Sequence, residues 1–184
     1  MSSQSRNSAQ ALKLAIAAAL LAGSAAQAAD QPRTFELTAF SDGVGGTAIL
    51  SGDYNTAAKE LGAHASSLDP AVLSTNRCVA YMETRQLEAA HSACDAAVRD
   101  AKKEMDALAS SMTSPWSRSD YREYLAVAYS NRAVLNWVSK DAAAAQADLK
   151  KAAAVDPSAK FVARNQVALE SHDAVAQVSV VPKS

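Results

Sequence analysis

The sequence predicts an all-α fold of antiparallel helix hairpins, on three observations. All six glycines lie at or before Gly62, and the 122 residues that follow have none and are rich in Ala, Leu, Lys, Glu and Arg, the strong helix formers. Prolines at Pro70, Pro115 and Pro157 then punctuate the chain at intervals of 45 and 42 residues, each directly after Asp or Ser. Such a pair puts a side-chain acceptor at an N-cap and a fixed φ in the first turn, so each marks a helix start or a turn between helices. Finally, the block Asn76-Arg77-Cys78-Val79-Ala80-Tyr81 returns as Asn131-Arg132-Ala133-Val134-Leu135-Asn136. Ala90, Cys94 and Ala97 follow the first block at the offsets at which Ala145, Leu149 and Ala152 follow the second.

At 184 residues the chain is about one domain's worth of sequence. Residues 1–28 are predicted to be a secretory signal peptide. They hold Arg6 and Lys13 and no acidic residue, run apolar from Leu14 to Ala22, and end in Ala26-Gln27-Ala28, an A-x-A cleavage site. The apolar run is less than half of the roughly 20 residues that cross a bilayer, so no stable membrane anchor is expected after cleavage. Removal of the leader takes 18 Lys+Arg to 16 against 19 Asp+Glu, a net charge of −3. With no stripe of Lys/Arg and interleaved aromatics, that balance argues against a nucleic-acid ligand.

Residues 29–46 are expected to be a flexible N-terminal segment. Phe35 to Phe40 has some period-two character, and Asp42-Gly43-Val44-Gly45-Gly46 is a turn without the strand, helix and Lys-Ser/Thr context of a phosphate cradle. The helical domain is placed at 47–171. In it, Val72, Leu73, Val79, Ala80 and Met82 give one helix an apolar face, and a second runs from about Leu87 to Met112, roughly 39 Å at the α-helical rise. Ser117 or Ser119 caps a helix through Leu125, Tyr129, Ala133 and Trp137, Lys140-Asp141 makes a turn, and Ala142 to Val155 returns. Phe161, Val162, Val167 and Leu169 mark a final helix that covers the end of the stack. The tail, 172–184, is β-branched and loosely alternating over Ala174 to Val181, which fits either a short strand or a frayed end.

The second block closes at Asp156-Pro157, and Asn165 lies 34 residues beyond Asn131, whereas Asn131 lies 55 beyond Asn76, which is 34 plus an insertion of 21. A helix-turn-helix of this period, with small residues where helices approach and a closing proline, resembles the tetratricopeptide repeat. Two repeats carry the likeness, and Gly52-Asp53-Tyr54 with Ala57 and Leu61 looks like the turn and second helix of a degenerate one before them, after a stub through Ile49-Leu50. Arg77 and Arg132, where the family usually has leucine, and Asn136, where it has an aromatic, depart from the pattern. The resemblance implies a short right-handed superhelix of stacked hairpins, an α-solenoid with a capping C-terminal helix. It also implies a concave groove that binds a peptide or partner protein, with Asn76, Asn131 and Asn165 hydrogen-bonding a bound backbone and Val79, Met82, Glu83, Val134, Trp137 and Val138 sharing the wall. The same amides equally suit local packing of helices and turns.

Cys78 and Cys94 fall on facing helices of one hairpin. Export permits a disulfide, while a mismatch in height between the helices would leave them as small packing residues; both readings stand at this stage. No HExxH, CxxC or nucleophile-elbow pattern occurs, and His91 with Cys94 three residues on supplies two ligands where a closed site needs more, so no enzyme, cofactor or metal site is expected. The expected protein is a periplasmic or secreted interaction module. The alternative is a self-assembling scaffold, and homo-oligomers fit either.

Overall fold

The computed structural model describes residues 34–64, 69–110, 118–171 and 178–183. The chain divides into two units, Met1–Pro32 and Arg33–Ser184, and every described residue belongs to the second. The signal peptide expected at 1–28 therefore lies outside the described residues.

The element order is β1 (Phe35–Phe40), α1 (Gly46–Leu50), α2 (Tyr54–Ala63), α3 (Pro70–Glu83), α4 (Leu87–Ser110), α5 (Arg118–Val138), α6 (Ala142–Val155), α7 (Lys160–Glu170) and β2 (Val178–Lys183). The described chain is predominantly helical. Three helix starts follow the polar punctuation: Asp53 accepts from the Thr56 amide, Asp69 from Val72 with Pro70 in the first turn, and Asp141 from Ala144. At Asp156-Pro157 the pair makes a turn instead, with the Asp156 carboxylate accepting from Ser158 N and Oγ. The pair Ser114-Pro115 falls outside the described residues, as does Ser117, which directly precedes α5; Ser119 lies within that helix.

Helices α3 with α4, and α5 with α6, form two hairpins, and α4 packs on α5 to join them. The contact layer is alanine: Ala71, Ala80, Ala90, Ala101, Ala126, Ala128, Ala145 and Ala152 are fully buried. With only a methyl between them, the helices approach closely, and Leu61, Val79, Leu125, Val127, Leu135, Leu149, Phe161 and Val162 fill the remaining space.

Two expectations change. Residues 29–46 are not a loose leader over their described part: Phe35–Phe40 is a strand buried on both faces, and Gly46 opens α1. The tail resolves in favour of a strand, since β2 pairs in parallel with β1 from Phe35↔Val178 to Phe40↔Lys183. Parallel neighbours need a crossover connection, and here the whole helical body supplies it.

Candidate functional site

A strand has two hydrogen-bonding edges, and successive residues address opposite ones. The edge of β1 that carries Glu36, Thr38 and Phe40 faces the helices, and one asparagine meets each residue. Asn165 Oδ1 accepts from Glu36 N at 2.7 Å and its Nδ2 donates to Glu36 O at 2.8 Å. Asn131 does the same for Thr38 at 2.9 and 2.7 Å, and Asn76 for Phe40 at 2.8 and 2.9 Å. Each amide thus imitates the donor and acceptor of a neighbouring strand residue, and the three together form a side-chain ladder in place of a third strand. The other edge goes to β2. Asn76 also donates to Val44 O at 3.1 Å and Asn165 to Ser130 Oγ at 2.9 Å, so the ladder is tied into the turn below it and the helix beside it.

The strand's side chains are as fully committed. Phe35 tilts against Trp137 with ring centroids 5.6 Å apart, Phe40 meets Tyr124 edge-on at 4.8 Å, and Leu37 and Ala39 enter the core. Glu36 forms a two-pronged ion pair with Arg164, one bond of which is 2.9 Å, and its hydrogen bonds raise the Arg164 guanidinium above its ordinary pKa. The turn after β1 is built for contact: a side chain on Gly43 would collide with Val72, one on Gly46 with the Ser41 carbonyl, and Gly45 takes φ 73°. Its glycines serve close packing and a left-handed turn.

The residues that depart from the repeat pattern have partners of their own. Arg77 donates to the carbonyls of Leu61 and His64 at the end of α2. Arg132 grips the buried Asp148 carboxylate with two bonds of 2.7 and 2.9 Å and reaches Asp95 at 2.8 Å, while Asn136 and Lys151 also donate to Asp148. The Asp148 bonds, opposed by burial, raise the Arg132 pKa. Cys78 and Cys94 form a disulfide with Cα atoms 4.7 Å apart, so α3 and α4 stand level at that height.

The expected partner-binding groove therefore needs correction. Asn76, Asn131 and Asn165 hold the chain's own strand, and Val79 and Val134 are fully buried beneath it, so none of these five faces a free surface. Met82, Glu83, Trp137 and Val138 instead line a cavity of about 830 Å³, together with Leu37, Arg85, Leu87, Lys140 and Ala142. Leu87 and Val138, 41% and 36% exposed, stand at its mouth, where large apolar side chains face water. Burial raises the Glu83 carboxyl above its usual range, with Arg85 pulling it back, and Tyr54 is raised by burial and by Glu83.

The chain matches no protein-family model, no curated protein and no solved structure. Among the described residues no group of three or more His, Cys, Asp or Glu could hold a metal, and no helix is long and apolar enough to cross a membrane.

Leu37, Arg85, Leu87 and Lys140 were missed as site residues. The signal for two of them was present, since Arg85 and Lys140 each follow a ladder asparagine by nine residues. Leu37 had none, because nothing local says that the strand folds back over the helices.

Proposed function

We propose that this protein is an exported, non-catalytic interaction module of tetratricopeptide-like architecture, a short solenoid of hairpins with α7 as its cap, acting in the periplasm or secreted. It engages a partner protein or peptide at the mouth of its groove. The observation that carries this reading is the cavity walled by Leu37, Met82, Trp137 and Val138, which has the size and the apolar lining with few polar groups of a ligand site and leaves Leu87 and Val138 in contact with water. The asparagine ladder supports the same architecture, because a surface that holds extended backbone by paired amide bonds is what a peptide-binding helical groove requires. In this chain the resident peptide is β1, which completes one wall of the cavity with Leu37. The Cys78–Cys94 bridge suits an oxidising compartment.

The test is affinity capture from an envelope fraction by residues 29–184, compared with Leu87→Glu and Val138→Glu, which add charge at exposed positions and spare the core. The reading expects partners held by the wild type and lost from both variants; identical capture lists would sink it.

A further inference from the structure

Two backbone anomalies point at the same cavity. Among the described residues, Arg85 at φ 59° and Lys140 at φ 66° are the non-glycine residues in the left-handed region. They occupy the same place in the two hairpins, just past the C-termini of α3 and α5. In each, the left-handed residue bonds back three residues (Arg85 N to Met82 O, Lys140 N to Trp137 O), and the next amide closes the wider loop (Gln86 N to Tyr81 O, Asp141 N to Asn136 O). This is the helix-ending motif in which glycine is favoured, because a Cβ there is strained. The chain instead puts a long cation at both positions, and both line the rim of the cavity.

From this we infer that Arg85 and Lys140 are retained for binding, and that the cavity takes a peptide segment with an apolar anchor side chain flanked by carboxylates. This rests on the function proposed above and names the partner's chemistry. The anchor enters between Leu37, Met82 and Trp137. The flanking acids meet the two exposed cations. Among the described residues Glu83 is the one acid in the lining, and it is offset by Arg85, leaving that rim net positive on a chain whose leaderless form is net negative. Replacement of either cation by glycine relieves strain while removing charge, so binding and folding separate.

The probe is an acetylated, amidated hexapeptide, Glu-Asp-Leu-Phe-Asp-Glu, beside copies with every acid changed to Ser or to Lys. Binding to residues 29–184 is read from Trp137 fluorescence in a Trp116→Phe background, which leaves a single tryptophan. The acidic peptide is expected to bind at least tenfold more tightly than the Ser copy. The double variant Arg85→Gly/Lys140→Gly should lose that advantage with its Tm unchanged or raised by a few degrees, and Arg85→Lys should keep it. Equal binding of all three peptides would overturn the inference and leave the cavity as an interaction site. A double variant that melts lower and binds as before would make both residues structural. Silence from every peptide would overturn the inference, while the proposed function stands or falls by the capture experiment. Growth in mass by light scattering, with Trp137 changing as the protein alone is concentrated, would name a second copy as the occupant and overturn the inference.

Discussion

The hairpins α3–α4 and α5–α6 share one register and are pinned by different chemistry. Where the first places the Cys78–Cys94 bridge, the second has Ala133 and Leu149 at the same offsets, packed without a bond. Where the second joins its helices through Arg132 and the buried Asp148, Arg77 at the matching position reaches outward to the backbone of α2. Apolar periodicity sets where helices lie, and many cross-links are compatible with a given layout. What the hairpins keep in common is the asparagine, because both touch the same strand.

The comparison breaks most severely at that shared element. Asn131→Ala leaves the Thr38 amide and carbonyl buried without partners, and with an unmet buried group costing 1–3 kcal/mol, a loss of about 4 kcal/mol is expected by chemical denaturation. A loss no larger than that of a surface alanine variant would show that water replaces the amide. Next is the covalent pin: Cys78→Ala/Cys94→Ala, or reduction, opens a loop of sequence separation 16 and should lower stability by about 3 kcal/mol. The check is urea denaturation with and without reductant, with a shift confined to the bridged protein. In the second hairpin Asp148→Asn weakens the grip on Arg132 but leaves Asp95 in place. Because Arg132 is 21% exposed, about 2 kcal/mol is expected rather than the full penalty of a broken buried pair.

The smallest effect concerns the first hairpin alone and has a pH signature. Glu104 accepts from the Ala71 amide at 3.1 Å through Oε1, while its Oε2 is buried without a partner. Burial, with Asp69 and Asp100 nearby, pushes its carboxyl up to about 7. A carboxyl raised in the folded state holds a proton that the unfolded chain releases at its ordinary value, so the native state loses stability as pH rises from about 4.5 to 7. Partial exposure reduces this to about 1 kcal/mol. Glu104→Gln should flatten Tm against pH across that window and melt higher than wild type at pH 8; parallel profiles would refute the assignment.

The helical elements were legible because their signals are local: glycine confined to the first third, Asp or Ser before proline, and the apolar spacing of Leu125, Tyr129 and Ala133. The matching positions of Asn76, Asn131 and Asn165 were legible for the same reason, as was their chemistry, two bonds to a passing backbone. The identity of that backbone was not. Thr38 sits 93 residues from Asn131 and Glu36 129 from Asn165, and nothing in either sequence neighbourhood encodes the meeting. Strand β1 shows only weak alternation because both its faces are buried, which removes the polar half of the pattern. The cavity was half visible: Met82, Glu83, Trp137 and Val138 lie on periodic helices, whereas Leu37 reaches it only through the docked strand.

The ladder also sets an order of events for a chain that emerges N-terminus first. Phe40 finds its partner 36 residues later, Thr38 after 93, and Glu36 only after 129. The strand can therefore zip from its C-terminal end toward Phe35, one rung with each hairpin and the last with α7. Its last rung, and the β2 edge beyond it, wait for nearly the whole polypeptide. Closing such distant contacts is slow, so completion of the groove falls at the end of folding, and the N-terminal half of a strand made before every helix is among the last parts to settle.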